Sequence, residues 1–298
     1  MTESIQIGSV EVAVARDGYW EAAPLGHLRD IENQPLTPEQ FEPFMDGSDP
    51  AAIIPSRVLC FVVRSRGKTI LLDAGVGASG LWRFGDGHLL DSLARLNVRP
   101  EDIDVVIPSH LHLDHIGWNT HPGANGEPVI TFPNARHLFH KADWDWFTDP
   151  AVYAAQGETS NLFQTVTRCL LPVQAAGRAE LVEGHETQVT EDMTIVHTPG
   201  HTPGSVCILV QSAGEAALFI GDLAHLCMQL SAPDWSPPYE HDRLESAASR
   251  RRIVEQAAGR KAILAGSHLD EGPVFGRIVE IDGRRFWRGF EAAQGVRE

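Results

Sequence analysis

Between positions 109 and 118 the chain reads Ser109-His110-Leu111-His112-Leu113-Asp114-His115-Ile116-Gly117-Trp118. His110, His112, Asp114 and His115 are all side chains that ligate metals, held in one short stretch. In extended backbone His110 and His112 point to the same side, so two imidazoles can grip one ion. Asp114 and His115 fall where the chain turns, which aims them elsewhere and suits a second ion. Three unrelated surface histidines are the weaker reading of such a pattern.

Further ligand types close several apolar runs. Ile70-Leu71-Leu72 ends at Asp73, Val105-Val106-Ile107 precedes His110, and Thr194-Ile195-Val196 precedes His201. Leu218-Phe219-Ile220 precedes Asp222, and Ile263-Leu264-Ala265 precedes Ser267-His268. Strands ending at one sheet edge would bring these groups to a single cleft, where layered α/β folds place ligands. Acids and imidazoles at the mouths of buried strands are costly unless paired, and a pair of cations would satisfy them.

The elements that must position these groups follow from alternation and punctuation. Ile5 to Val14, Arg57 to Val63, Lys68 to Leu72, Asp104 to Ile107 and Arg136 to Phe139 read as strands. So do Glu180 to Val182, Met193 to Val196, Val206 to Val210, Ala217 to Ile220 and Ala262 to Ala265, with a final hairpin over Val274 to Trp287 turning at Asp282-Gly283. Helices are expected over Thr37 to Met45, His88 to Leu96, Lys141 to Phe147 and through residues 151 to 168. The best-marked helix is His241 to Ala258, with capping spacing at Asp242 and Glu245, an apolar face of Leu244, Ala248, Ile253 and Ala257, and Gly259 as its stop. Strands in runs with helices between the runs argue for layered mixed α/β. Residues 20–56, rich in Pro and acids, are long for a plain connection and read as a lid or dimer contact.

A chain of 298 residues, 43% hydrophobic and 21% charged, can bury a full core and reads as one domain over residues 1–298. Forty acidic residues against 24 Lys and Arg leave a formal charge of −16, which disfavours nucleic acid and anionic membrane surfaces despite the run Arg250-Arg251-Arg252. The four cysteines form no CxxC pair, and Cys60 and Cys207 sit in apolar runs as small hydrophobes. No secretory leader or membrane span is apparent, so a cytoplasmic protein is expected.

HLHLDH preceded by Asp73, then TPGH, then GD, then a late histidine resembles the metallo-β-lactamase superfamily of binuclear metal hydrolases. The resemblance implies an αββα sandwich with two divalent metal ions at one edge of its sheets. It implies His110, His112 and His201 on one metal, Asp114, His115 and His268 on the other, and Asp222 bridging both. Asp73 would orient a ligand rather than bind metal. His197 competes with His201 for one position, and the family pattern selects His201. His121, His137, His140 and His185 have no partner pattern and read as structural or solvent-facing. Zinc suits the nitrogen and oxygen ligands best, with manganese, iron and cobalt as alternatives.

Within the superfamily, true β-lactamases differ at the position of Asp222, and flavodiiron-type oxidases carry Glu where this chain has His112. Glutathione-thioester hydrolases need a basic clamp, and the net charge fits RNA-processing relatives poorly. The remaining neighbourhood contains lactonases, arylesterases and organophosphate hydrolases. Lactonases of this kind carry Tyr three residues after the bridging Asp, where this chain has His225, and Gly221-Asp222-Leu223-Ala224-His225 is similar to the methyl parathion hydrolase branch. The reading is a metallohydrolase of small neutral apolar esters or lactones, with organophosphate triester hydrolysis as the alternative and a catalytically idle binding protein as a third. Asp114 is the general acid/base candidate, and His225 would polarise the carbonyl or protonate the leaving group. Trp118, Trp144, Trp146 and Trp235 are candidates for an apolar pocket, and a homodimer is possible through residues 20–56.

Overall fold

The computed structural model describes residues 3–45, 47–269 and 272–290. Two seven-stranded sheets stack face to face. The first contains, in spatial order, β1 (Ser4–Ile7), β2 (Val10–Ala22), β3 (Ile54–Ser65), β4 (Lys68–Leu72), β5 (Val105–Ile107), β6 (Arg136–His140) and β7 (Ala179–Val182). It is antiparallel up to β4 and parallel from β4 to β7. The second contains β8 (Glu186–Thr190), β9 (Met193–His197), β10 (Val206–Ser212), β11 (Glu215–Phe219), β12 (Ile263–Ala265), β13 (Phe275–Ile281) and β14 (Arg284–Phe290). Only its β11–β12 pair is parallel.

Side-chain alternation sorts each strand between two apolar layers. On β3, Leu59, Phe61 and Val63 enter the space between the sheets and meet Ile208, Phe219 and Phe275 of the second sheet. The Phe61 and Phe219 rings lie 4.8 Å apart at 57°. Burying each such side chain stabilises the fold by about 1.5–3 kcal/mol. Cys60 and Val62 face the other way, onto Leu89 and Leu93 of helix α1 (Leu89–Arg95). Behind the second sheet, Cys207, Leu209, Leu218 and Leu264 pack on Ile253, Val254 and Ala257 of α3 (Arg243–Arg260), while α2 (Lys141–Phe147) lies beyond β6. Helix, two sheets and helix form the expected αββα sandwich. Among the described residues no helix is long and apolar enough to cross a membrane.

Several local expectations are corrected. The strand read over Ile5 to Val14 is a hairpin, because Gly8 takes a left-handed φ of 55° and turns β1 back onto β2. The helical stretch read through residues 151 to 168 breaks into the short helices Pro150–Tyr153 and Asn161–Thr165 and a wide turn over Val166–Leu170. Helix α3 starts as its Asp242 cap dictates, with that carboxylate accepting from the Glu245 amide at 3.0 Å, but it runs past Gly259 to a left-handed Lys261. Its buried face also differs: Leu244 and Ala248 point outward, and Ser246, Ala247, Ser249 and Arg250 point inward.

Candidate metal centre

The parallel pairs β4–β5 and β11–β12 end at the same edge, and their following loops carry Asp73, His110, Asp222 and His268. His112 sits in extended backbone at the mouth of the one-turn helix Leu113–Ile116, which carries Asp114 and His115. Two glycines make this closeness possible. Gly117 runs against the backbone of Val76, where an added Cβ would lie 2.1 Å from a carbonyl carbon. Gly221 holds a φ of 48°, and a Cβ there would lie 2.4 Å from the Ser109 side chain. Asp143 on α2 ties the loops together, accepting from the Leu111 amide at 3.1 Å and the Thr202 hydroxyl at 2.9 Å.

All seven expected ligand residues meet at this edge, in two groups that share one member. Within each group the ligating atoms lie within 4.8 Å of one another. In the first, His112 Nδ1 stands 2.8 Å from His110 Nε2 and 3.0 Å from His201 Nε2. Asp222 Oδ2 lies 3.7 Å from His110 Nε2 and 3.4 Å from His201 Nε2. In the second, His268 Nε2 is 3.1 Å from Asp114 Oδ2 and 3.2 Å from His115 Nε2. Asp222 turns its other oxygen here, with Oδ1 3.2 Å from His115 Nε2 and 3.3 Å from His268 Nε2.

These distances fit a pair of divalent cations. A tetrahedron with bonds near 2.0–2.1 Å has ligand-to-ligand edges of about 3.3 Å. Asp222 Oδ1 is buried and makes no hydrogen bond among the described residues. The outward nitrogens are fixed: His115 Nδ1 faces Asp73 Oδ2 at 3.0 Å, His201 Nδ1 faces Glu240 Oε2 at 3.2 Å, and His268 Nδ1 faces the Arg57 carbonyl at 3.0 Å. Each contact orients its ring so that Nε2 points inward. Asp73 thus sits as a supporting carboxylate, held by the Ser109 amide at 2.6 Å and the Ser267 hydroxyl at 2.7 Å.

The electrostatics agree with the geometry. Burial, and then the neighbouring imidazoles, hold His110 well below the usual histidine range and His112 down at about 3, so both are neutral donors of electron pairs. Burial acts the same way on His115, but Asp222, Asp73 and Asp114 outweigh it and raise this imidazole well above its ordinary value. Asp222 is buried, which opposes its charge, yet His268, His115, His225 and His110 hold it well below the carboxylate range. Buried carboxylates that draw positive charge so strongly are costly without a cation.

Over both groups lies a cavity of about 340 Å³, floored by His112, Asp114, His201, Asp222 and His268. Its walls are Trp20, Trp82, Phe84, His27, Tyr239 and His225, together with the charged Glu21 and Arg83. His225 stands with Nε2 3.1 Å from Asp222 Oδ2 and its ring parallel to that of His268. The tryptophans expected to line a pocket do not line this one. Trp118 is turned behind the first sheet, where Nε1 donates to Asp17 at 2.8 Å, and Trp144 stacks on Phe139. Trp146 meets Phe147 edge-on, and Trp235 packs on Phe41. Trp20 and His27 come instead from the start of the 20–56 segment, whose helix Pro38–Met45 seats Phe41 against Leu226 and Met228. His197 lies outside the site, stacked on His140 at 4.0 Å. Sequence reading missed Glu240, His27, Tyr239 and Asp143, which belong to no motif; only Trp20, at the head of an irregular segment, stood at a visible boundary.

A fold of two sheets with seven His and Asp ligand residues at one edge defines a class of metal-centred sandwich. The metallo-beta-lactamase superfamily profile matches residues 53–268, and the chain belongs to that superfamily. An N-acyl homoserine lactonase from Bacillus sp is 28% identical over 180 residues, 55% of this chain and 62% of that enzyme. The N-acyl homoserine lactonase AttM from Agrobacterium fabrum (strain C58 / ATCC 33970) is 27% identical over 135 residues, 45% of this chain and 46% of the enzyme. The chain therefore spans less than two thirds of the length of these lactonases. Among solved structures, hydrolase AbOPH of the beta lactamase superfamily superposes with a TM-score of 0.81 at 22% identity, over 98% of both chains. AidC, a dizinc quorum-quenching lactonase, superposes with a TM-score of 0.79 at 22% identity over the same shares.

Proposed function

We propose that this chain is a binuclear metallohydrolase that cleaves small, neutral, apolar carboxylic esters, with lactones as the leading class. The observation that carries the reading is the split of His110, His112, His201 and Asp114, His115, His268 around one Asp222, beneath an aromatic-walled cavity. The likeness to lactonases supports putting lactones first within that class. Divalent cations held there, zinc by preference, supply Lewis acidity and a nucleophile from water at neutral pH.

The chain's own residues do the rest. Trp20, Trp82 and Phe84 hold the apolar part of the substrate and exclude water from it. Asp114 lines the cavity beside His268 and serves as general base and acid, taking a proton from water and returning it to the leaving oxygen. His225 lines the cavity and steadies Asp222 through Nε2, while Asp73 holds the His115 ring in place. The 20–56 segment acts as a fixed wall of this pocket through Trp20 and His27.

Elemental analysis of the purified protein, run beside a panel of an aryl ester, an acyl-homoserine lactone, a δ-lactone and a phosphotriester, tests the reading. About two equivalents of transition metal with ester or lactone turnover are expected. Asp222→Asn should lose both metal and turnover. Dominant phosphotriester turnover would replace the ester reading with its alternative, and no turnover after metal reloading would leave a binding protein.

A further inference from the structure

Behind His201 lies a buried pair of opposite charges that the reaction above does not use. Glu240 Oε2 faces His201 Nδ1 at 3.2 Å, and Glu240 Oε1 lies 3.5 Å from Arg250 Nη2. Both side chains are wholly shielded from solvent. The remaining guanidinium donors fan out over the surrounding loop. Nε donates to the Leu223 carbonyl at 2.6 Å, Nη1 to the Trp235 carbonyl at 2.9 Å, and Nη2 to the Ser246 hydroxyl at 3.0 Å. Leu223 directly follows Asp222, so one side chain on α3 braces both the Asp222 turn and the Glu240 loop.

Taking a carboxylate and a guanidinium out of water costs several kcal/mol each, and their mutual attraction often fails to offset it. Arg250 satisfies loop carbonyls that an apolar side chain could not, but the fold alone gives the Glu240 carboxylate no such task. The pair has one geometric result that an apolar pair could not have: a charged acceptor on the outer nitrogen of a ligand histidine. We infer that Glu240 is a positioning residue for His201, and that Arg250 aims Glu240 at it. This rests on reading the His and Asp groups as a metal centre. The Glu240 carboxylate accepts the His201 Nδ1–H, keeps Nε2 bare toward His110 and His112, and makes that nitrogen a stronger donor. Asp73 stands in the same relation to His115, so each group has one histidine backed by a carboxylate.

The test is zinc affinity, read by competition with a chromogenic chelator, beside thermal unfolding of the zinc-free protein. Glu240→Gln should weaken one zinc equivalent by about 10–100-fold, and Glu240→Asp, which keeps the charge, should recover most of that loss. If Glu240→Gln does not fold, Arg250→Lys, which keeps a cation and a carbonyl donor but lacks the fork that aims Glu240, should weaken the same zinc equivalent in the same direction by a smaller factor. A purely structural pair predicts the reverse: altered unfolding with zinc affinity within about twofold of wild type. That outcome, or an equal loss in the Asp and Gln variants, overturns the inference. A wild-type protein that binds no zinc overturns the metal centre itself, and is distinguished because it appears before any variant is made.

Discussion

Gly221 offers the sharpest test of how the backbone sets the site. Its φ of 48° lies in the left-handed region, and a methyl group there would sit 2.4 Å from both Cβ and Oγ of Ser109. Ser109 cannot swing aside cheaply, because its amide donates to Asp73 at 2.6 Å and its hydroxyl contacts Asp73 at 3.3 Å. Gly221→Ala therefore carries about 1–2 kcal/mol for the left-handed backbone and about 1–3 kcal/mol for the overlap, together roughly 2–5 kcal/mol. At about 2.1 cal/mol/K per residue for a chain of this length, that lowers Tm by roughly 3–8 °C. The displaced neighbour is Asp222, whose two oxygens face the two groups, so metal binding should fall along with stability. Differential scanning calorimetry and zinc content after dialysis measure both. Ser109→Gly in the Gly221→Ala background should restore the overlap part and leave the backbone part, a coupling that a double-mutant cycle isolates. Gly259 is the control: it is helical with open space around it, so Gly259→Ala should stabilise by about 0.5–1 kcal/mol. If Gly221→Ala kept wild-type Tm and two bound zincs, this account of the Asp222 turn would be wrong.

His137 is wholly buried on β6 between Phe132 and Phe139, and burial pushes its pKa down to about 4. A depressed histidine keeps its full contribution above the unfolded value near 6.5 and loses it as pH falls through 4; about 2 kcal/mol is gone by pH 5. His137→Leu should flatten that share of the acid limb, and identical urea midpoint shifts between pH 7 and 5 in both proteins would contradict it. Trp82 lines the cavity without belonging to either His and Asp group. Trp82→Ala should lower kcat/KM for apolar esters about 5–30-fold through loss of buried area, with metal content unchanged; equal loss on small polar esters would point away from a substrate wall. Asp114→Asn should depress kcat far more than KM if it moves the proton, while a change confined to KM would remove that role.

The residues that gather at the sheet edge could be named from the chain because coordination is a short-range demand written in side-chain type. The expected extended backbone through His110 and His112 is instead a bend over residues 109–112, extended at His112, and it still brings the two rings to 4.5 Å. Strand ends were legible for a similar reason, since alternation such as Leu59, Cys60, Phe61, Val62, Val63 records two apolar layers directly. The walls of the cavity record nothing of the kind. Trp20 lies near the end of the long strand β2, His27 ends a four-residue helix, and Tyr239 lies in an irregular stretch before α3. They meet only after both sheets have formed, so no local pattern announces them, and Trp118, beside the ligand loop in sequence, is turned behind the sheet by Asp17. Arg250 shows the same limit on a helix. An apolar face through Leu244 and Ala248 is the natural reading, yet Leu244 is 68% exposed because the surface met by α3 is a loop rich in carbonyls, and a guanidinium satisfies these where a leucine could not. Chemistry carried by ligand identity is therefore visible in one sequence, whereas chemistry carried by what folds over the ligands depends on long-range contacts. Under the proposed function, the choice between lactone and other neutral esters belongs to the second kind, carried by Trp20, Trp82 and Tyr239 rather than by the ligand-type histidines.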